Sequence, residues 1–208
     1  MNALKFLYEQ VLHREKYFFE IPRPQRPEKL PKVLNENEIK RLFKATTNSK
    51  HRMILMLTYG MGLRVSEVVH LKIRDIDSKR MQVLIEAAKG KKDRYVNLPQ
   101  SILKELRAYY LAYKPVKYLF EGQYGGQYTI RSVQAVFKTA MKHAKINKRV
   151  GVHGLRHSYA THLLEAGTDM VFIQNLLGHN SMKTTQIYAK VGRKEIQNVK
   201  SPLDKLFR

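Results

Sequence analysis

The sequence predicts a mostly helical domain carrying a small antiparallel β-sheet, an α+β fold. Apolar residues recur at helical spacing along most of the chain, punctuated by polar caps and glycine stops. Three short runs, Ile73 to Asp77, Met81 to Ala87 and Arg94 to Leu98, carry strand character instead. Lys89-Gly-Lys-Lys-Asp93 is the turn between the last two runs, a basic hairpin tip. Hydrophobic residues make up 43% of 208, enough to bury one sizeable core with a small appendage.

The elements follow in order. Leu4, Leu7, Tyr8, Val11 and Leu12 make residues 1–20 an amphipathic helix, and the prolines between Ile21 and Pro31 make residues 21–32 an extended basic linker. The main domain spans 33–192. Asn35-Glu-Asn-Glu38 opens a helix through Ala45, with Asn35 as cap and Glu38 at the capping-box position. His51 to Tyr59 reads as a buried helix ending at Gly60-Met-Gly62, and Val65 to Leu71 as a second, short one. After the strands, Pro99 stops the sheet and Ile102 to Tyr113 is helical, followed by a short buried segment at Leu119-Phe120. Thr129 to Ala144, His153 to Ala166 (closed by Gly167) and Asp169 to Leu177 (closed by Gly178) are helices, and Ser181 caps another through Val191. Residues 193–208 form a basic tail split by Pro202.

Charge narrows the partners. Lys and Arg number 39 against 17 Asp and Glu, a net charge of +22, which implies a polyanion. The basic residues are spread along the chain rather than gathered on one amphipathic helix, which argues for nucleic acid over a membrane surface. There is no cysteine, so disulfides and thiolate metal sites are excluded, and the composition fits a reducing cytosol. Lys5, Glu9, His13, Arg14, Glu15 and Lys16 interrupt the first segment, so it does not read as a secretory signal, and a cytoplasmic location is expected.

Four groups of residues carry chemistry. Arg64, just after a glycine turn at a helix start, points a fork of donors where an anion is already favoured; a surface pair with Glu67 is the plainer reading. Lys89, with Lys91 and Lys92, is either a solvated turn or a set of phosphate contacts with one proton donor. His153, Arg156 and His179 lie next to helix starts or stops, and His153 and Arg156 share one helix face. His153 and His157 have zinc spacing, with His162 nearby, but the sequence supplies neither a third ligand nor a general-base Glu in place, so no metal is expected. Tyr188 follows His179 in Thr184-Thr-Gln-Ile-Tyr188.

Gly62-Leu-Arg64-Val-Ser-Glu67, Lys89-Gly-Lys-Lys-Asp-Arg94, His153-Gly-Leu-Arg156-His-Ser-Tyr-Ala-Thr-His162 and Leu176-Leu-Gly-His179 through Tyr188 together resemble the tyrosine recombinase (phage integrase, Xer-like) family, in its order and spacing. The resemblance implies a tyrosine-recombinase catalytic-domain fold in which Arg64, Lys89, His153, Arg156 and His179 are catalytic, Tyr188 is the nucleophile and Glu67 supports Arg64. Lys91, Lys92 and Arg94 are the DNA contacts expected around the hairpin. It implies cleavage and rejoining of double-stranded DNA through a 3′-phosphotyrosyl bond, with no metal or small-molecule cofactor and no membrane. It also implies self-association into a tetramer on DNA, with the tail docking on a neighbouring subunit. Positive charge around Tyr188 is expected to favour its phenolate. Family members usually carry a core-binding domain before the linker; residues 1–20 resemble its last helix, so a fragment is expected over a naturally short chain. A non-catalytic DNA-binding regulator of the same fold and a type IB topoisomerase-like enzyme are the alternatives.

Overall fold

In the computed structural model, which describes residues 6–13, 31–88, 92–178, 185, 186 and 188, the first long element is helix α1, Glu36–Ala45. Asn35 accepts from the Glu38 amide and the Glu38 carboxylate accepts from the Asn35 amide, each at 2.8 Å, so the expected capping box is present. Glu38 also pairs with Lys148 at 2.7 Å, which ties the start of α1 to a loop far along the chain. Helix α2, Ser49–Gly60, starts at Asn48, whose side chain accepts from the His51 amide. Its buried residues Met53, Ile54, Leu55, Leu57 and Thr58 occupy more than one face, as a central helix requires. The short α3, Val65–His70, follows the turn at Gly62.

The three-stranded sheet runs β1 (Ile76–Asp77), β2 (Gln82–Ala88) and β3 (Lys92–Asn97), antiparallel and in that spatial order. Val83 faces Val96 and Ile85 faces Arg94; Val83, Ile85 and Val96 are buried while Tyr95 points out. Two sequence expectations change here. Ile73–Asp75 is a single tight helical turn rather than strand, because the Asp75 carboxylate accepts from the Lys72 amide at 2.8 Å and closes it. Lys92 and Asp93 belong to β3 rather than to the turn, whose remaining residues, 89–91, lie outside the described residues.

Pro99 precedes helix α4, Gln100–Tyr113, and Thr129 caps α5, Ile130–His143. Helix α6 is His153–Glu165, and Asp169 caps α7, Met170–Leu177, which ends at Gly178 in the left-handed conformation. Helix α2 packs against both α4 and α6, α1 against α5, and α7 against α6. Leu119 and Phe120 are buried as expected, with the Leu119 amide donating to the Leu71 carbonyl. One large core fills the space among these elements, and a smaller cluster of Ala160, Leu164, Ile173, Leu177 and Tyr188 lies beside it. Of the helix expected from Ser181 to Val191, Thr185, Gln186 and Tyr188 are described, and each is helical.

Near the N-terminus, Leu7–Val11 forms one helical turn on which Phe6, Leu7, Tyr8, Val11 and Leu12 are exposed. Residues 14–30, which hold most of the expected linker, and the tail 193–208 lie outside the described residues. Among the described residues, no helix is long and apolar enough to cross a membrane.

Candidate active site

The site is built where four chain segments meet. Gly62 stands at φ +60°, where a β-carbon would meet the Tyr159 ring at 2.5 Å. Only glycine fits both the angle and the space. The turn delivers Arg64 to the N-cap position of α3, where Glu67 closes back on it. Glu67 Oε2 accepts from the Arg64 amide at 2.8 Å, and Oε1 from Arg64 Nη1 at 2.7 Å. The Arg–Glu pair is therefore real, and it orients the arginine: Arg64 Nη2 remains directed at the Gly178 carbonyl, 3.0 Å away.

Glu67 also receives a second guanidinium. Arg94 donates from Nη1 to Oε1 at 2.9 Å and from Nη2 to Oε2 at 2.8 Å. Burial alone would raise the Glu67 carboxyl, whose side chain is 6% exposed; the bonds from Arg94 and from Arg64 outweigh it and hold the pKa at about 2. Arg94 was expected on DNA. Its side chain is instead 12% exposed and turned inward, on the same strand parity as buried Val96. Lys89 and Lys91 lie outside the described residues, and Lys92 is placed in β3.

Helix α6 supplies the centre. His153 is its first residue and stays exposed, whereas Arg156, one turn on, is 1% exposed. Arg156 donates from Nη1 to the Gly62 carbonyl and from Nη2 to the Leu177 carbonyl, each at 2.6 Å. Its buried Nε has no hydrogen-bond partner among the described residues. Burial and the nearby Arg64 charge lower the Arg156 pKa to about 10, so it keeps its charge at neutral pH. Desolvation, then the charges of Arg156 and Arg64, pull the His153 imidazole below its usual range.

Tyr188 is 2% exposed, and its hydroxyl lies 3.1 Å from His157 Nδ1. The expected pull of positive charge toward phenolate is present, from Arg156 and Arg64, but desolvation outweighs it and raises the Tyr188 pKa. The tyrosine rests as a neutral phenol. His179 lies outside the described residues, but the carbonyls just before it, at Leu177 and Gly178, are the ones on which Arg156 and Arg64 converge. His162, grouped with His153 and His157 by spacing, faces elsewhere and meets the Tyr59 hydroxyl at 2.9 Å.

Sequence reasoning did not assign His157 a part in this site, nor Arg94 its internal pairing. Both had a signal: His157 lies four residues after His153 on the same helix face, and Arg94 alternates with Val96 and Leu98. Two guanidinium groups, a histidine pair and a buried phenol thus share one place. Such a set can hold a phosphate and present an oxygen nucleophile to it.

Comparison with known proteins identifies the family. The Phage integrase family model matches residues 32–195. A putative integrase/recombinase, y4eF of Sinorhizobium fredii, is 39% identical over 212 residues, covering 100% of this chain and 84% of that one. Tyrosine recombinase XerA of Pyrococcus horikoshii is 39% identical over 176 residues, 84% of this chain and 62% of that protein's length. Among solved structures, a XerA recombinase aligns with TM-score 0.74 at 32% identity, over 84% of this chain and 68% of that one. A XerH recombinase bound to palindromic difH substrate in a post-cleavage complex aligns with TM-score 0.73 at 26% identity, over 81% of this chain and 52% of that one. The fold is the catalytic-domain fold of the tyrosine recombinases. The chain belongs to the phage integrase family, as a site-specific tyrosine recombinase of the Xer-like kind.

Proposed function

We propose that this chain cleaves and rejoins double-stranded DNA, with Tyr188 as the nucleophile. One observation carries the reading: Arg64 and Arg156, far apart in sequence, donate to the adjacent carbonyls of Gly178 and Leu177 beside the buried Tyr188. A scissile phosphodiester entering there meets both guanidinium groups, which stabilise the charge that develops on its non-bridging oxygens. The free Nε of Arg156 adds a donor. Tyr188 Oη attacks phosphorus, a 3′-phosphotyrosyl bond forms, and the 5′ oxygen leaves. The retained bond energy lets a 5′-hydroxyl of another strand reverse the step, so neither ATP nor a metal is needed.

His153 then helps hold the phosphate, and Lys89 and His179 complete the set as the family resemblance implies. Lys89 protonates the leaving 5′ oxygen. The net charge of +22 supports a DNA partner, as do the DNA-bound states of related recombinases such as the XerH complex. A cytoplasmic location, a tetrameric assembly on DNA and a tail that docks on a neighbouring subunit belong to the same reading.

The test is covalent trapping. A pool of nicked duplexes with a randomised core is incubated with the chain, and detergent-resistant adducts are recovered and sequenced. The wild-type chain is expected to yield an adduct that Tyr188→Phe abolishes. An adduct that survives in Tyr188→Phe removes Tyr188 as nucleophile. Duplex binding with no adduct from the wild-type chain favours a non-catalytic regulator.

A further inference from the structure

We propose that His157 is a catalytic residue: its Nδ1 holds the Tyr188 hydroxyl and takes the phenolic proton as Oη attacks phosphorus. This rests on the reading of Tyr188 as nucleophile.

Geometry comes first. His157 Nδ1 and Tyr188 Oη are 3.1 Å apart, within direct proton-transfer reach, and the rings lie with centroids 5.6 Å apart. His157 sits between two anchored residues. It follows Arg156, which is anchored to the Gly62 and Leu177 carbonyls. It precedes Ser158, whose hydroxyl accepts from the Leu34 amide and donates to the Gly154 carbonyl. The His153 ring packs against it edge-on at 4.4 Å. A base held this firmly beside a nucleophile loses little on reaching the reactive arrangement.

Protonation states agree with the geometry. Tyr188 is a neutral phenol because burial raises its pKa, so attack requires a proton acceptor. Burial, then the neighbouring His153 and the Arg156 charge, lower His157 to about 4. His157 is therefore neutral at physiological pH and offers a lone pair when the other ring nitrogen carries the proton. A phosphodiester bound between Arg64 and Arg156 brings negative charge that offsets the guanidinium charge felt by the ring. The base thus strengthens when substrate is present.

The step balances. In cleavage, the Oη–P bond forms and the P–O5′ bond breaks. The phenolic proton moves to His157 Nδ1, and the leaving 5′ oxygen takes a proton from the acid assigned to Lys89. In rejoining, the attacking 5′-hydroxyl returns its proton to Lys89, and protonated His157 gives its proton back to Tyr188.

The test uses the full chain and the duplex recovered by adduct trapping, in two forms: one with an ordinary scissile phosphodiester, one with sulfur replacing the bridging 5′ oxygen. Sulfur leaves without protonation, so this substrate repairs a lost acid but not a lost base. His157→Ala and the similarly sized His157→Gln are expected to cleave the ordinary substrate on the order of 10²-fold more slowly. They should bind duplex like the wild-type chain and stay slow on the sulfur substrate, which should restore Lys89→Ala. Cleavage by His157→Gln at the wild-type rate, or its full repair by the sulfur substrate, overturns the proposal. An adduct that persists in Tyr188→Phe overturns the underlying reading instead, and is scored on a different variant.

Discussion

Arg94 meets Glu67 in a two-bond fork, Nη1 to Oε1 at 2.9 Å and Nη2 to Oε2 at 2.8 Å. Through Glu67, which also holds Arg64, the strand leading away from the basic hairpin is tied to the start of α3. Strand β3 and the turn carrying Arg64 therefore share one joint. Removing Arg94 leaves the buried Glu67 carboxylate with its bonds from Arg64 alone. Arg94→Gln should lower stability by about 1–3 kcal/mol, read from urea unfolding. It should leave the salt dependence of duplex binding unchanged. A slope reduced by about 0.9 would mean that Arg94 contacts a phosphate after all.

The same carboxylate makes stability depend on acid. Glu67 has a pKa of about 2 in the folded chain against an ordinary value of 4.5. Its contribution is fully present above pH 4.5. As pH falls from there toward 2, the unfolded chain takes up a proton that the folded one refuses, and the contribution is lost. The loss is on the order of 3 kcal/mol. Urea midpoints measured from pH 6 down to pH 2 should fall more steeply for the wild-type chain than for Glu67→Gln. Equal slopes would remove Glu67 as a source of the acid sensitivity.

Gly62 tests the turn that aims Arg64. Alanine there adopts a left-handed φ and places its β-carbon 2.5 Å from Tyr159 and 2.9 Å from Leu177. Gly167 is also left-handed, at φ +88°, but a β-carbon there meets nothing within 4 Å. Gly167→Ala should cost about 1–2 kcal/mol, from backbone conformation alone. Gly62→Ala should cost at least about 1–3 kcal/mol more, from overpacking. Because the Gly62 carbonyl also accepts from Arg156, its cleavage rate should drop as well. Thermal melts of the two variants, paired with adduct formation, make the comparison. Equal melting temperatures would show that the Tyr159 contact yields without cost.

What was legible in the sequence was local. The capping box at Asn35 and Glu38, the helix start at Asp169 and the stop at Gly178 are short-range hydrogen-bonding patterns, and each formed. Ile73 to Asp75 misled because its alternation imitates a strand, while the Asp75 carboxylate closes a turn on the Lys72 amide. Arg94 and His157 had readable periodicity, but which neighbour each would meet depends on how strands and helices pack. The tyrosine's protonation state was illegible for the same reason. Nearby positive charge was visible in the sequence; the Ile173 and Leu177 side chains that bury Tyr188 with it were not identifiable as its surroundings.

Ser158 links the fold to the site and gives the last prediction. Its hydroxyl accepts from the Leu34 amide at 2.8 Å and donates to the Gly154 carbonyl at 2.7 Å. Leu34, fully buried, immediately precedes the cap of α1, so this bond fastens the entry of the domain onto the helix that carries Arg156. Ser158→Ala leaves a buried amide without that partner, at a cost of about 1–3 kcal/mol. The effect should be local: exchange of the Leu34 amide with solvent deuterium should accelerate, by more than that of amides within α4, which packs on α2. Arg156 keeps its bonds to the Gly62 and Leu177 carbonyls, so duplex cleavage should fall less in Ser158→Ala than in Gly62→Ala. A Leu34 amide that exchanges at the wild-type rate would show that the hydroxyl is not what fastens this strap.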